Sequence, residues 1–64
     1  MKVFIEKDKK EIDFSFSGSA LDLLSQLDVN KETVLVIRNS ELITLDEKLV
    51  DSDTVKILSV VSGG

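Results

Sequence analysis

Met1, Val3 and Ile5 alternate with Lys2, Phe4 and Glu6, the period of a half-buried strand, which predicts a strand over residues 1–6 with Phe4 on its outer face. Residues 7–11 are a polar connection of hairpin length. Ile12, Phe14 and Phe16 then alternate with Asp13, Ser15 and Ser17 as the returning strand. Ala20, Leu21, Leu23, Leu24 and Leu27 form an apolar stripe with helical spacing behind Ser19, a favoured N-cap, and Asp22 stands where a capping box needs an acceptor. A helix over residues 19–27 follows, with Gly18 before it and Asp28, Val29 and Asn30 marking its end. Residues 33–37 are the most strand-like stretch of the chain, closed by a polar turn in which Asn39 tolerates left-handed backbone angles.

Leu42, Ile43 and Thr44 return as a short strand, and Leu45 and Leu49 are spaced to pin one turn of helix against the core. Asp51, Ser52 and Asp53 turn the chain again, and Val55 and Ile57 alternate with Lys56 and Leu58 in a final strand. The order strand, strand, helix, strand, short strand, strand predicts an α+β domain: a mixed four- to five-stranded sheet covered by one helix. One helix covers one sheet face, so the other faces water or a partner. If Val34, Val36, Val55 and Ile57 point toward the helix, Phe4, Leu35, Ile37, Leu58 and Val60 point away from it and merge into an apolar patch.

The chain has 64 residues, 42% of them hydrophobic. That size predicts one domain over residues 1–64, with little interior to spare for a substrate pocket, since so small a domain buries only about 60% of its unfolded surface. Cysteine, histidine, tryptophan, tyrosine and proline are all absent. Disulfides, zinc sites of thiolate or imidazole type and the commonest nucleophile–base pairs are thereby excluded, and an independent enzyme is not expected. Eight basic against twelve acidic residues give a net charge of −4, a poor match for nucleic acid or an anionic membrane. No apolar run approaches the roughly 20 residues that span a bilayer, so the expected setting is the cytoplasm. Asp46, Glu47, Asp51 and Asp53 lack the spacing and central glycine of a calcium loop and read as solvated turns; Lys7, Lys9 and Lys10 read as a solvated hairpin, and Arg38 as an ordinary surface residue.

The chemistry concentrates at the end, Val60-Val61-Ser62-Gly63-Gly64. Residues 61–64 read as a tail whose last two residues, Gly63 and Gly64, lack Cβ atoms and so are thin and flexible enough to thread a narrow channel and place the Gly64 carboxylate in line with a nucleotide phosphate. Joined to an adenylyl group, that carboxylate becomes a mixed anhydride open to attack by a sulfur donor or an amine.

The stretches 34–41 (VLVIRNSE) and 49–55 (LVDSDTV), with the VSGG end, resemble the ubiquitin-like sulfur carriers of thiamin and molybdopterin synthesis and their archaeal relatives that act as small modifiers and in tRNA thiolation. The resemblance covers nearly the whole chain in element order. Ser40 and Ser52 stand where these families commonly carry glycine, and Val60, Val61 and Ser62 replace the arginines that precede the diglycine of ubiquitin. The resemblance implies a β-grasp fold with no bound cofactor. It implies that an E1-like adenylating enzyme uses ATP to activate Gly64, that a sulfur donor converts it to a thiocarboxylate, and that a sulfur-accepting synthase or tRNA-thiolation enzyme takes the sulfur. Gly63 would give access, and Phe4, Leu35, Ile37, Leu58, Val60 and Val61 would dock the partner. Two alternatives stand beside this reading: a covalent modifier joined through Gly64 to lysines of target proteins, and a non-covalent interaction domain using the apolar face alone.

Overall fold

The structure, a computed structural model, describes residues 1–60. Seven strands and one helix follow in the order β1 (Lys2–Ile5), β2 (Lys10–Asp13), β3 (Gly18–Ser19), α1 (Ala20–Gln26), β4 (Val34–Arg38), β5 (Glu41–Ile43), β6 (Lys48–Leu49) and β7 (Thr54–Ser59), with 3-10 turns at Glu6–Asp8 and Lys31–Thr33. Five strands form one mixed sheet in the order β2-β1-β7-β4-β5, while β3 and β6 pair separately. β1 and β7 are parallel and the other pairs antiparallel. Two outer hairpins are thus joined by the last strand, which lies in the middle. A five-stranded mixed sheet wrapped around a single helix is the β-grasp architecture.

Period-two alternation sends Val3, Val36, Val55 and Ile57 to the helix side, where each is at most 1% exposed. They meet Ala20, Leu23 and Leu24 of α1 and Leu49 of β6, with Ile5, Val34 and Leu27 packed around them. Each fully buried Leu, Ile or Val contributes roughly 1.5–3 kcal/mol over its exposed state.

Both helix ends are closed by hydrogen bonds. Ser19 Oγ accepts from the Asp22 amide at 3.1 Å and Asp22 Oδ2 accepts from the Ser19 amide at 3.4 Å, completing the capping box. The next two amides, of Ala20 and Leu21, donate to the carbonyls of Glu47 and Leu45. At the other end Val29 donates to Leu24 and Asp28 to Ser25, a Schellman closure with Asp28 in the left-handed region at φ 59°.

Two expectations change. The second strand was expected to continue through Phe16, but β2 ends at Asp13: its partner β1 begins at Lys2, so only the Phe14 amide still finds a carbonyl, that of Met1. The Phe16 amide turns instead to Asp51 Oδ1 at 3.0 Å, and Phe14 and Phe16 meet edge to face. Residues 45–49 form no helical turn. Their carbonyls are drawn to the amides of α1, and Lys48 and Leu49 form β6 against Gly18 and Ser19.

Candidate functional site

The uncovered sheet face is built from the other half of each alternating strand. Across it Phe4 pairs with Lys56, Lys56 with Ile37, Leu58 with Leu35, and Ile37 with Leu42. Phe4, Leu35, Ile37 and Leu58 therefore lie together as expected, Leu35 being 42% exposed and the other three half-buried. Val60 continues beyond β7, 49% exposed, with its amide donating to the Thr33 carbonyl at 2.9 Å.

Two members of the face were not read from the sequence. Leu42, 60% exposed, joins through its register with Ile37, a pairing that a three-residue strand does not announce. Lys56 lies among the apolar residues with Nζ 6.0 Å from the Phe4 ring centroid, where the ring's negative face meets the ammonium. Toward β2 the face becomes polar, with Lys2 and Glu11 at 3.9 Å. Val61, Gly63 and Gly64 lie outside the described residues.

Of the acidic residues expected in solvated turns, Asp46, Asp51 and Asp53 are also hydrogen-bond acceptors, and of the four only Asp53 is buried. Asp51 receives the Phe16 amide and, at 3.2 Å, the Met1 ammonium; the amide bond chiefly, then the ammonium, hold its carboxyl below the usual aspartate range. Asp46 is lowered as well, first by the Thr44 hydroxyl that donates to it. Asp53 is buried and accepts from Asn39 Nδ2 and the Val50 amide, while Asn39 Oδ1 accepts from the Thr54 amide. This ties the β4–β5 turn to the start of β7. Arg38 donates to the Lys48 carbonyl at 3.0 Å on the helix side, away from the apolar face. Among the described residues no group of three or more acidic side chains is placed to hold a metal ion, and no helix is long and apolar enough to cross a membrane.

A groove of about 620 Å³ opens at the sheet end beyond α1, lined by Ile5, Leu27, Val29, Val34 and Ile57 with Lys7 and Ser59 at its edge. A seven-residue helix spans about 10 Å, whereas a six-residue strand spans roughly 20 Å, so α1 leaves the end of β7 uncovered.

A β-grasp body with one apolar face, and a diglycine sequence following its central strand, defines the class of ubiquitin-like carrier domains. The sequence model of the ThiS family matches residues 3–64, and the chain belongs to that family. It is 35% identical over 57 residues to the sulfur carrier protein TtuB of Thermus thermophilus, covering 89% of this chain and 88% of that protein. The crystal structure of a thiamine biosynthesis protein (ThiS) from Geobacter metallireducens is similar over the full length of both chains, with a TM-score of 0.65 and 30% identity. A solution structure of a thiamine biosynthesis protein from the same organism gives a TM-score of 0.62 at 26% identity, over all of this chain and 88% of that one.

Proposed function

We propose that this protein is a sulfur carrier whose reactive atom set is the Gly64 carboxyl group. The observation that carries the reading is the match to the ThiS family, which runs through Gly63 and Gly64. A carboxylate oxygen of Gly64 attacks the α-phosphorus of ATP on an E1-like enzyme, releasing pyrophosphate; hydrosulfide released by a sulfur donor then attacks the acyl carbon, breaks the acyl–phosphate bond to expel AMP and loses its proton, leaving the thiocarboxylate. The partner supplies positioning and charge stabilisation. This chain is the carrier rather than the catalyst, and binds no cofactor of its own. The sulfur acceptor is an enzyme of cofactor biosynthesis, thiamine being the product named for the solved relatives, or of tRNA thiolation. The cytoplasm is the setting, where ATP is at hand.

The face of Phe4, Leu35, Ile37, Leu42, Leu58 and Val60 docks the activating or accepting enzyme, with Lys56 giving an acidic group on the partner a counter-charge within an apolar surround. Incubation with ATP, the E1-like enzyme and a sulfur donor yields an oxygen-to-sulfur mass increase located at Gly64. An unchanged mass with an enzyme that activates another carrier under the same conditions refutes the reading. Leu35→Asp, at an exposed position, lowers kcat/KM for adenylation roughly 5- to 30-fold, the factor for about 1–2 kcal/mol of lost contact, while leaving the far-UV spectrum unchanged.

A further inference from the structure

The groove beyond α1 lies on the helix side of the sheet, opposite the face of Phe4, Leu35 and Ile37. Its floor comes from three neighbouring strands, with Ile5 at the end of β1, Ile57 in β7 and Val34 at the start of β4, and Leu27 and Val29 border it from the end of α1. Ile5, Leu27, Val29 and Val34 are only half-buried, so apolar surface stays open there. The volume of about 620 Å³ has room for a few large side chains. The rim carries a surplus of negative charge. Asp8 and Asp28 stand on it against one cation, Lys7, and none of the three makes an ion pair among the described residues. Lys9 and Lys10 belong to the same connection as Lys7 but do not line the groove. The carbonyl end of α1, where the helix dipole is negative, adjoins the groove through Leu27 and Asp28.

We propose that this groove is a second docking surface, for a partner protein segment that buries large apolar side chains against Leu27, Val29 and Ile57 and sets an adjoining arginine or lysine against Asp8 and Asp28. The outer face has the reverse polarity, since its central charge is the Lys56 ammonium beside Phe4. The two surfaces therefore select partner segments of opposite charge, and they do so from opposite sides of one sheet. A partner held in the groove leaves the outer face open to another. The proposal stands on the groove alone and its test uses no enzyme, so it and the sulfur-carrier reading fail independently.

The test is NMR on the full chain with labelled Ile, Leu and Val methyl groups, titrated with two blocked peptides, acetyl-Arg-Leu-Phe-Arg-amide and acetyl-Glu-Leu-Phe-Glu-amide. The basic peptide shifts the methyls of Leu27, Val29 and Ile57, leaves those of Leu35 and Leu42 in place, and binds at least about 5-fold more tightly than the acidic one, the factor expected of exposed ion pairs. Asp8→Asn and Asp28→Asn together remove that preference, asparagine being at home in the left-handed conformation of residue 28, and Lys7→Gln widens it. Equal affinity for the two peptides overturns the proposal, as do shifts confined to Leu35 and Leu42, no shift at millimolar peptide, or a preference that survives in the double variant. Groove methyls that shift when the protein alone is concentrated reveal a second copy as the occupant and overturn it as well.

Discussion

Replacing Asp53 with alanine removes a carboxylate that is 9% exposed and accepts from Asn39 Nδ2 at 3.1 Å and from the Val50 amide at 2.9 Å. A hydrogen bond to a charged group contributes about 1.5–3 kcal/mol. Val50 is 53% exposed, so its amide regains water more readily than the part-buried Asn39 amide group, and its share is discounted. The expected loss is about 2–3 kcal/mol, which for a domain of this size lowers Tm by roughly 15–20 °C. Far-UV circular dichroism is the natural probe, since the chain has neither tryptophan nor tyrosine. Asp53→Asn preserves the shape but offers one acceptor oxygen to two donors, and loses about half as much. Asn39→Ala also breaks the bond to the Thr54 amide, so a double-mutant cycle is needed to isolate the pair; a coupling of at least about 0.5 kcal/mol is expected. An Asp53→Ala protein melting within about 4 °C of the wild type, or strictly additive losses, would refute this account of the turn.

Asp28→Gly relieves a left-handed φ of 59° at the Schellman closure of α1 and raises stability by roughly 0.5–1 kcal/mol, measured by urea unfolding. Gly18 has φ +152°, and a Cβ there meets Phe16 Cζ at 3.2 Å; Gly18→Ala therefore costs more than about 1 kcal/mol in the same assay. The folded-state carboxyl of Asp51 titrates below its unfolded value, so the folded state binds fewer protons in that range. The stability it lends is complete above about pH 4 and is lost as pH falls through the lowered value. Asp51→Asn should flatten that acid limb in pH-dependent melts while the neutral-pH slope stays the same.

What was legible in the sequence was whatever repeats with a period. Met1-Val3-Ile5 and Val34-Val36 sorted themselves onto the helix side, and the same alternation placed Phe4, Leu35 and Ile37 on the open face. Ser19 and Asp22 signalled the helix start because a capping box is local. The pairing of β3 with β6 was not legible, since two residues carry no pattern and their register comes from tertiary contacts. Asp51 and Asp53 read as turn residues because their donors, Phe16 and Asn39, are distant in sequence. Leu42 was visible as an apolar residue but not as a neighbour of Ile37 until the register was fixed. The groove escaped notice because composition bounds how much a domain buries, not whether its helix matches the length of its sheet.

The position of β7 between β1 and β4 has a consequence for how the protein comes into being on the ribosome. The hairpins β1–β2 and β4–β5 are synthesised early, yet they share no neighbour until β7 has emerged, because every link between them in the sheet passes through that strand. A chain that stops short of β7 lacks the keystone that joins its two halves, and so cannot assemble the outer face. Synthesis thereby screens its own products: only a chain that has been carried through its final strand can fold into a surface for a partner to grip.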